Sequence, residues 1–162
     1  MLGKINEVFQ NHHIVCVVLK NEIDSYLIGC IEHYDQEGII LYNIDYRGTA
    51  TCHVYISIEE IENIEDRPCY IDKIKILFNA SESKKKYLKF PHKYNLKRDF
   101  LEWIYCNHKL IKLTFEDEQF EGYINKNEDH FINVSKICSY TGADEGHTII
   151  RIEYLAYFNI KI

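Results

Sequence analysis

The segment Gly29–Ile64, which begins GCIEHYDQEGIILYN and ends HVYISIEEIENI, recurs in outline at Gly122–Phe158. The second copy begins GYINKNEDHFINVSK and ends HTIIRIEYLAYF. Near the end of the segment, four residues recur 94 positions later: His53, Ile56, Ile58 and Glu59 correspond to His147, Ile150, Ile152 and Glu153. An internal repeat of this length is a strong indication of architecture. We therefore expect two copies of one structural unit.

Each copy shows the same succession of apolar patterns, a short helix followed by five short strands. A helical stripe within residues 2–11 precedes the first copy, and a clearer one over residues 96–105 precedes the second. Gly29 and Gly122 fall inside the second strand of each copy, where a glycine lets a sheet bend sharply. The pattern predicts a mainly β protein with two tandem, five-stranded, strongly bent antiparallel barrels, each preceded by a short α-helix.

The chain divides into three parts by repeat and by charge. Residues 1–66 form the first unit and residues 96–162 the second, and both are acidic. Residues 67–95 form a connector that is rich in lysine and also carries aromatic side chains. Such a segment suits single-stranded nucleic acid, because cations attract phosphate and rings stack on bases. The alternative is a soluble linker whose lysines lie against the acidic units, which is the commoner role of a charge run.

Part of the connector is expected to be ordered. The stretch Tyr70–Phe78, YIDKIKILF, places Ile74, Ile76 and Phe78 at alternate positions, the spacing of one face of a strand. Arg67-Pro68 before it is interpreted as a stop. The sequence therefore predicts a strand over Tyr70–Phe78, followed by a loop.

Composition excludes several classes of protein. No apolar run approaches the roughly 18 residues of a membrane span, and the N-terminus lacks the pattern of a secretory signal. We therefore expect a cytoplasmic protein with no membrane partner. The six cysteines form no C-x-x-C pair, which favours reduced thiols over a disulfide framework.

Catalytic and metal-binding patterns are also missing from the sequence. It contains no G-x-S-x-G, no glycine-rich phosphate loop and no H-E-x-x-H, and its cysteines and histidines lack the paired spacing of a zinc site. The repeated His53 and His147 are interpreted as turn residues, and Glu59 and Glu153 as charges that protect a sheet edge. We predict a protein that is not an enzyme and needs no cofactor or metal.

The helix, the glycine strand and the acidic turn before the third strand resemble the Sm-like superfamily, and most closely its Hfq-like bacterial members. The stretches that carry the resemblance are FQNHHIVCVVLKN with LIGCIEHYDQEGIILYN in the first unit and DFLEWIYCNHKLIKLTFEDEQFEGYINKNEDHFINV in the second. SH3-like and Tudor-like barrels fit the same alternation. The resemblance implies rings in which strand four of one subunit pairs with strand five of the next. Three copies of a tandem chain would then form a pseudo-hexamer, while packing of the two barrels within one chain is the simpler alternative.

The same resemblance implies an RNA-binding surface, of which this chain keeps only part. Phe131 and Asn133 match the aromatic and polar positions of strand three, and Tyr55 and Arg151 are what remains of the strand-four signature. The connector and the following helix start add the cations Lys84, Lys85, Lys86, Lys97 and Arg98. The first hypothesis is therefore a divergent Hfq-like protein that binds single-stranded RNA through these residues. The alternatives are a protein-interaction or scaffolding module that has lost RNA binding, with itself or another protein as partner, and a pair of barrels that binds a small ligand.

Overall fold

The computed structural model describes residues 1–20, 26–65, 68–80, 88–93, 95–115 and 118–162. Three helices and ten strands cover most of these residues. In chain order they are α1 (Leu2–Gln10), β1 (Ile14–Leu19), β2 (Tyr26–Tyr34), β3 (Gly38–Ile44), β4 (Ala50–Ser57), β5 (Ile61–Glu65), α2 (Pro68–Ala80), α3 (Leu96–Cys106), β6 (Leu110–Phe115), β7 (Glu118–Asn127), β8 (Phe131–Ile137), β9 (Asp144–Arg151) and β10 (Tyr157–Lys161). A 3₁₀ turn precedes the last strand of each unit, at Ile58–Glu60 and Ile152–Tyr154.

All ten strands belong to one antiparallel sheet, in the order β5-β1-β2-β3-β4-β10-β6-β7-β8-β9. The mainly β prediction is confirmed. Two separate barrels are not confirmed, because the sheet is continuous through both units and does not close. The units meet where β4 pairs with β10, with Tyr55 opposite Phe158. This contact, the β4–β10 joint, brings strand four of the first unit beside strand five of the second.

Three apolar clusters stabilise this arrangement. The first fills the interior of the first unit under α1 and contains Ile5, Val8, Val15, Val17, Ile31, Ile39, Leu41, Val54, Ile56, Ile61 and Ile64. The second lies on the opposite, outer face of the same strands, against α2, and contains Ile14, Cys16, Ile28, Cys30, Tyr42, Ile44, Ile71, Ile74 and Phe78. The third fills the second unit under α3 and extends across the β4–β10 joint to Ile40 and Tyr55.

The predicted strand over Tyr70–Phe78 is wrong, since this stretch lies within helix α2. Ile74 and Phe78 are buried against the first unit, whereas Ile76 is 69% exposed. Ile71 is also buried, so the inward side chains follow the spacing of three and four that defines a helix face. Pro68 is the first helical residue, a position where the missing N–H costs no hydrogen bond.

The repeated Asn-His dipeptide ends a helix in each unit. Asn11 follows α1 and Asn107 follows α3, and the next residues, His12 and His108, adopt positive φ angles of 51° and 48°. The chain then turns back, so that the N–H of His13 donates to the Val8 carbonyl oxygen at 3.1 Å. A left-handed residue after the last turn is a common way to end a helix. This part of the repeat is therefore structural.

The predicted helix over residues 96–105 is confirmed as α3. Its first turn also contacts the first unit, because the N–H of Leu96 donates to Asp35 Oδ2 at 2.8 Å. None of the helices in the described part of the chain has the length and apolarity needed to cross a membrane.

Candidate functional site

The structure brings three of the predicted RNA-binding residues together on the second unit. Phe131 on β8 is the Cα partner of Arg151 on β9, and its ring is partly exposed. Arg98 on α3 lines the same cleft as Phe131. Asn133 lies two residues along β8, and its Oδ1 is buried without a hydrogen-bond partner among the described residues.

Carboxylates dominate the surroundings of these cations. Arg98 Nη2 lies 2.7 Å from Asp129 Oδ1, and Arg151 Nη1 lies 3.4 Å from Glu153 Oε1. Glu102 and Glu128 also line the cleft, whose volume is about 530 Å³. Negative charge beside each arginine opposes the attraction of phosphate on which RNA affinity largely depends.

Tyr55 and Lys97 are buried at the β4–β10 joint. The Tyr55 ring stacks on Phe158 with centroids 5.0 Å apart, and burial raises the pKa of its hydroxyl, which has no hydrogen-bond partner among the described residues. Lys97 Nζ lies 5.6 Å from the centre of that ring and donates to the Ile152 carbonyl oxygen at 3.4 Å. Burial lowers the pKa of the Lys97 ammonium group. Both side chains hold the units together, and neither presents a surface for a ligand.

The predicted connector cations Lys84, Lys85 and Lys86 lie outside the described residues. The part of the connector that follows them is attached to the first unit. The N–H of Leu88 donates to Glu32 Oε2 at 3.3 Å, and the carbonyl oxygen of Leu88 lies 2.9 Å from His33 Nε2. Glu32 Oε2 is also 3.1 Å from Nε2 of the buried His53. His53 and His147 lie within β4 and β9, so their interpretation as turn residues is wrong.

A large cleft lies between the units, and the repeat did not predict it. Its volume is about 1080 Å³, and its walls carry the side chains of five tyrosines: Tyr26, Tyr46, Tyr70, Tyr154 and Tyr157. These residues come from β2, the β3–β4 turn, α2, the second 3₁₀ turn and β10. Only the high tyrosine count of the chain, 13 residues, hinted at such a site.

The two ends of the sheet form a further candidate surface. Strand β5 pairs only with β1, and β9 only with β8, among the strands of the described chain. Each strand therefore has one edge of backbone groups open to pairing. Ile149 on β9 is 69% exposed, an unusual state for an isoleucine on a strand next to an open edge.

The described residues contain no group of three or more histidine, cysteine, aspartate or glutamate side chains placed to hold a metal ion. A comparison of the chain with protein-family models, with curated proteins and with solved structures found no match.

Proposed function

We propose that this protein is a non-enzymatic assembly module of two Sm-like units, whose chains join head to tail through the open edges of the sheet. Both units have the same strand order, β5-β1-β2-β3-β4 in the first and β10-β6-β7-β8-β9 in the second. This shared order supports the resemblance and the reading of each unit as a bent, barrel-like sheet. The proposal concerns the arrangement of chains and leaves catalysis out.

The observation that carries the proposal is the β4–β10 joint. It pairs strand four of one unit with strand five of another unit inside a single chain. Among the described strands, those with an open edge are β9, which is strand four of the second unit, and β5, which is strand five of the first. A second copy of the chain can therefore repeat the same contact. A head-to-tail contact of this kind closes into a ring when its rotation allows.

The register of the joint predicts which residues would meet between chains. At the joint, Tyr55 lies opposite Phe158. The residues at the equivalent positions of the repeat are Ile149 and Ile64, so Ile149 would lie opposite Ile64 of a neighbouring chain. At the joint, the N–H of Ser57 donates to the carbonyl oxygen of Ala156. The equivalent positions in the other unit are Arg151 and Glu62, so Arg151 would lie opposite Glu62 of the neighbouring chain. Residues directly opposite across strands interact, and opposite charges there are favourable. The neighbouring chain would also cover the exposed Ile149.

Sedimentation velocity on charge-reversed variants tests this register. The natural chain is expected to associate, and Arg151→Glu or Glu62→Arg alone to weaken association by about tenfold or more, because like charges would face each other. The double variant Arg151→Glu/Glu62→Arg is expected to restore association. A natural chain that stays monomeric at the highest concentration reached would contradict the proposal.

An apolar position provides a second, matched test. Ile149→Lys is expected to abolish association by placing an ammonium group in the new contact. Ile76→Lys is the control, because Ile76 is also 69% exposed and lies on α2 rather than on either open strand. Equal effects of the two substitutions would mean that any association does not use β9.

Binding of single-stranded RNA is a second candidate, favoured by the pairing of the partly exposed Phe131 with Arg151. An aromatic ring beside a guanidinium group suits base stacking. Fluorescence anisotropy with oligouridine should then show salt-sensitive binding that Phe131→Ala reduces and Tyr123→Ala, at another exposed aromatic residue of the same unit, does not. Absence of salt-sensitive binding would remove this candidate and leave the assembly proposal intact.

A further inference from the structure

Two pairs of equivalent positions from the two copies line the cleft between the units. Tyr26 at the start of β2 and Gln119 near the start of β7 both line it, and they correspond at an offset of 93 residues. Glu60 and Tyr154, at the ends of the two 3₁₀ turns, also line it and correspond at an offset of 94. The cleft therefore runs from one unit to the other, along matching elements. This geometry suits an extended ligand that contacts both units.

The lining of the cleft combines aromatic rings with a small negative charge. Tyr154 is 59% exposed, so its ring is available to a ligand. Tyr46 is 64% exposed, and the Arg47 guanidinium lies 5.2 Å from the centre of its ring and donates to its hydroxyl. Among the described residues, the charged side chains at the walls are Lys20, Asp45 and Glu60. Asp45 Oδ1 accepts hydrogen bonds from the N–H groups of Arg47 and Thr49 at 2.9 and 2.8 Å. Tyrosine supplies a large, rigid contact area with a hydroxyl at its end, at low cost in conformational entropy. The carboxylates add a preference for a positively charged group.

We propose that this cleft binds an extended, proline-rich peptide segment of another protein, with a basic side chain directed at Asp45 and Glu60. Proline-rich segments hold the polyproline II conformation before binding, and grooves lined by aromatic side chains recognise them at low entropic cost. A lysine or arginine in the segment pairs with the carboxylates at the wall. Its described lining includes no residue of β5 or β9, so the site does not require chain assembly.

Volume and charge argue against two other occupants. The cleft, at about 1080 Å³, slightly exceeds the range of sites that enclose one small molecule, roughly 300–1000 Å³. Single-stranded RNA needs cations along its phosphates, whereas the charged groups at these walls include two carboxylates and one ammonium group. An extended peptide with a basic residue satisfies both conditions.

Selection from a phage-displayed library of random peptides tests the proposal without a known partner. The immobilised full chain is expected to enrich peptides that contain proline and at least one lysine or arginine. A synthetic peptide from the enriched set is then measured by fluorescence anisotropy. Tyr154→Ala and Tyr46→Ala are each expected to weaken its binding by about tenfold, the effect of truncating an aromatic anchor.

Tyr140→Ala is the matched control, because Tyr140 is 99% exposed in a turn of the second unit and does not line the cleft. The Tyr140→Ala variant is expected to bind the peptide with the same affinity as the natural chain. Glu60→Lys is expected to weaken binding of the basic peptide and to improve binding of the same peptide with glutamate at the basic position. Circular dichroism of each variant confirms folding before binding is measured.

Three results would overturn the inference. The first is a selection that enriches no peptides over those captured by the Tyr46→Ala/Tyr154→Ala double variant. The second is peptide binding that Tyr154→Ala and Tyr140→Ala change equally. The third is tighter binding of oligouridine than of any peptide, lost in Tyr154→Ala, which would assign the cleft to nucleic acid.

Discussion

The two units share a strand order but differ in what covers the outer face of the sheet. In the first unit, helix α2 packs on that face, over side chains that include Cys16, Cys30 and Tyr42. The equivalent residues of the second unit are Lys112, Tyr123 and Ser135, and no helix in the described part of the chain packs on them. A strand in a sheet that is buried on both faces needs apolar residues at successive positions. A strand in a sheet with one solvated face needs apolar and polar residues in alternation. The first strand of each unit shows this difference, with HIVCVVLK in one and HKLIKLTF in the other.

The comparison explains which residues the repeat retains. Interior positions such as Ile56 and Ile150 are apolar in both units and buried in both. Outer-face positions differ, because one face contacts α2 and the other contacts water. Residues that are alike in the two copies therefore lie in the shared interior, whereas residues that differ lie where the two units have different surroundings.

The largest expected effect tests whether α2 is an integral part of the first unit. Ile74→Ala removes a fully buried side chain from the outer face and is expected to lower the free energy of unfolding by about 3 kcal/mol. Tyr123→Ala, on the solvated face of the second unit, should cost less than about 1 kcal/mol. Urea denaturation measures both. Ile76→Ala on the exposed side of α2 is the control, and a loss there equal to that of Ile74→Ala would mean that α2 does not pack as described.

Adding a side chain at the glycine of the second strand should destabilise the two units equally, since this glycine belongs to the interior that they share. A Cβ added at Gly29 would overlap the carbonyl oxygen of Tyr42, and one at Gly122 would overlap that of Ser135. Gly29→Ala and Gly122→Ala are each expected to destabilise by about 2 kcal/mol, because the neighbouring strand must shift. Gly3→Ala in α1, where a Cβ meets nothing within 4 Å, should be neutral or stabilising. Thermal unfolding would contradict the equivalence if only one of the two strand variants lost stability.

A smaller effect, of opposite sign, is expected at the two helix ends. His12→Gly and His108→Gly should each stabilise the protein by about 1 kcal/mol, because glycine adopts positive φ without the steric cost that histidine meets. Chemical denaturation should give similar gains in both units. His92→Gly is the control, since His92 is not among the residues with positive φ. A gain at His92 equal to that at His12 would show that the backbone conformation is not the cause.

The smallest expected effect is a change, caused by Tyr55 at the β4–β10 joint, in how the free energy of unfolding depends on pH. Burial raises the pKa of Tyr55, so above about pH 10 the unfolded chain releases this proton while the folded chain keeps it. The free energy of unfolding should therefore fall as the pH rises past this value, and Tyr55→Phe should reduce that slope while changing stability at neutral pH by less than about 1 kcal/mol. An unaltered slope in Tyr55→Phe would mean that its hydroxyl titrates freely in the folded protein.

Sequence reasoning located most elements because their periodicities are local. The helix over residues 96–105 and the strands of both units follow from apolar spacing that neighbouring residues enforce. The prediction of a strand over Tyr70–Phe78 is wrong because it rests on Ile74, Ile76 and Phe78, which occupy alternate positions as in a strand. Ile71, which completes the helical face, lies outside that alternation, and only packing against the first unit decides between the two periods.

The structure brings some of the predicted site residues together and separates others, for a similar reason. Phe131 and Arg151 lie on adjacent strands, so their proximity follows from strand pairing. Tyr55 and Lys97 matched the pattern of a binding surface, but the β4–β10 joint buries both. The tyrosine cleft brings together five residues from separate elements, and no local spacing in the sequence relates them.

The repeat, the mainly β class, the helix over residues 96–105 and the interior face of each strand follow from the sequence, because they depend on contacts between residues close along the chain or on strict periodicity. The tertiary packing was needed to establish that β4 and β10 join the units into one sheet. It also places α2 on the first unit and, among the described strands, leaves one edge of β5 and one edge of β9 unpaired. These features depend on contacts between distant residues whose apolar side chains fit several partners equally well. Only the packed fold selects among them.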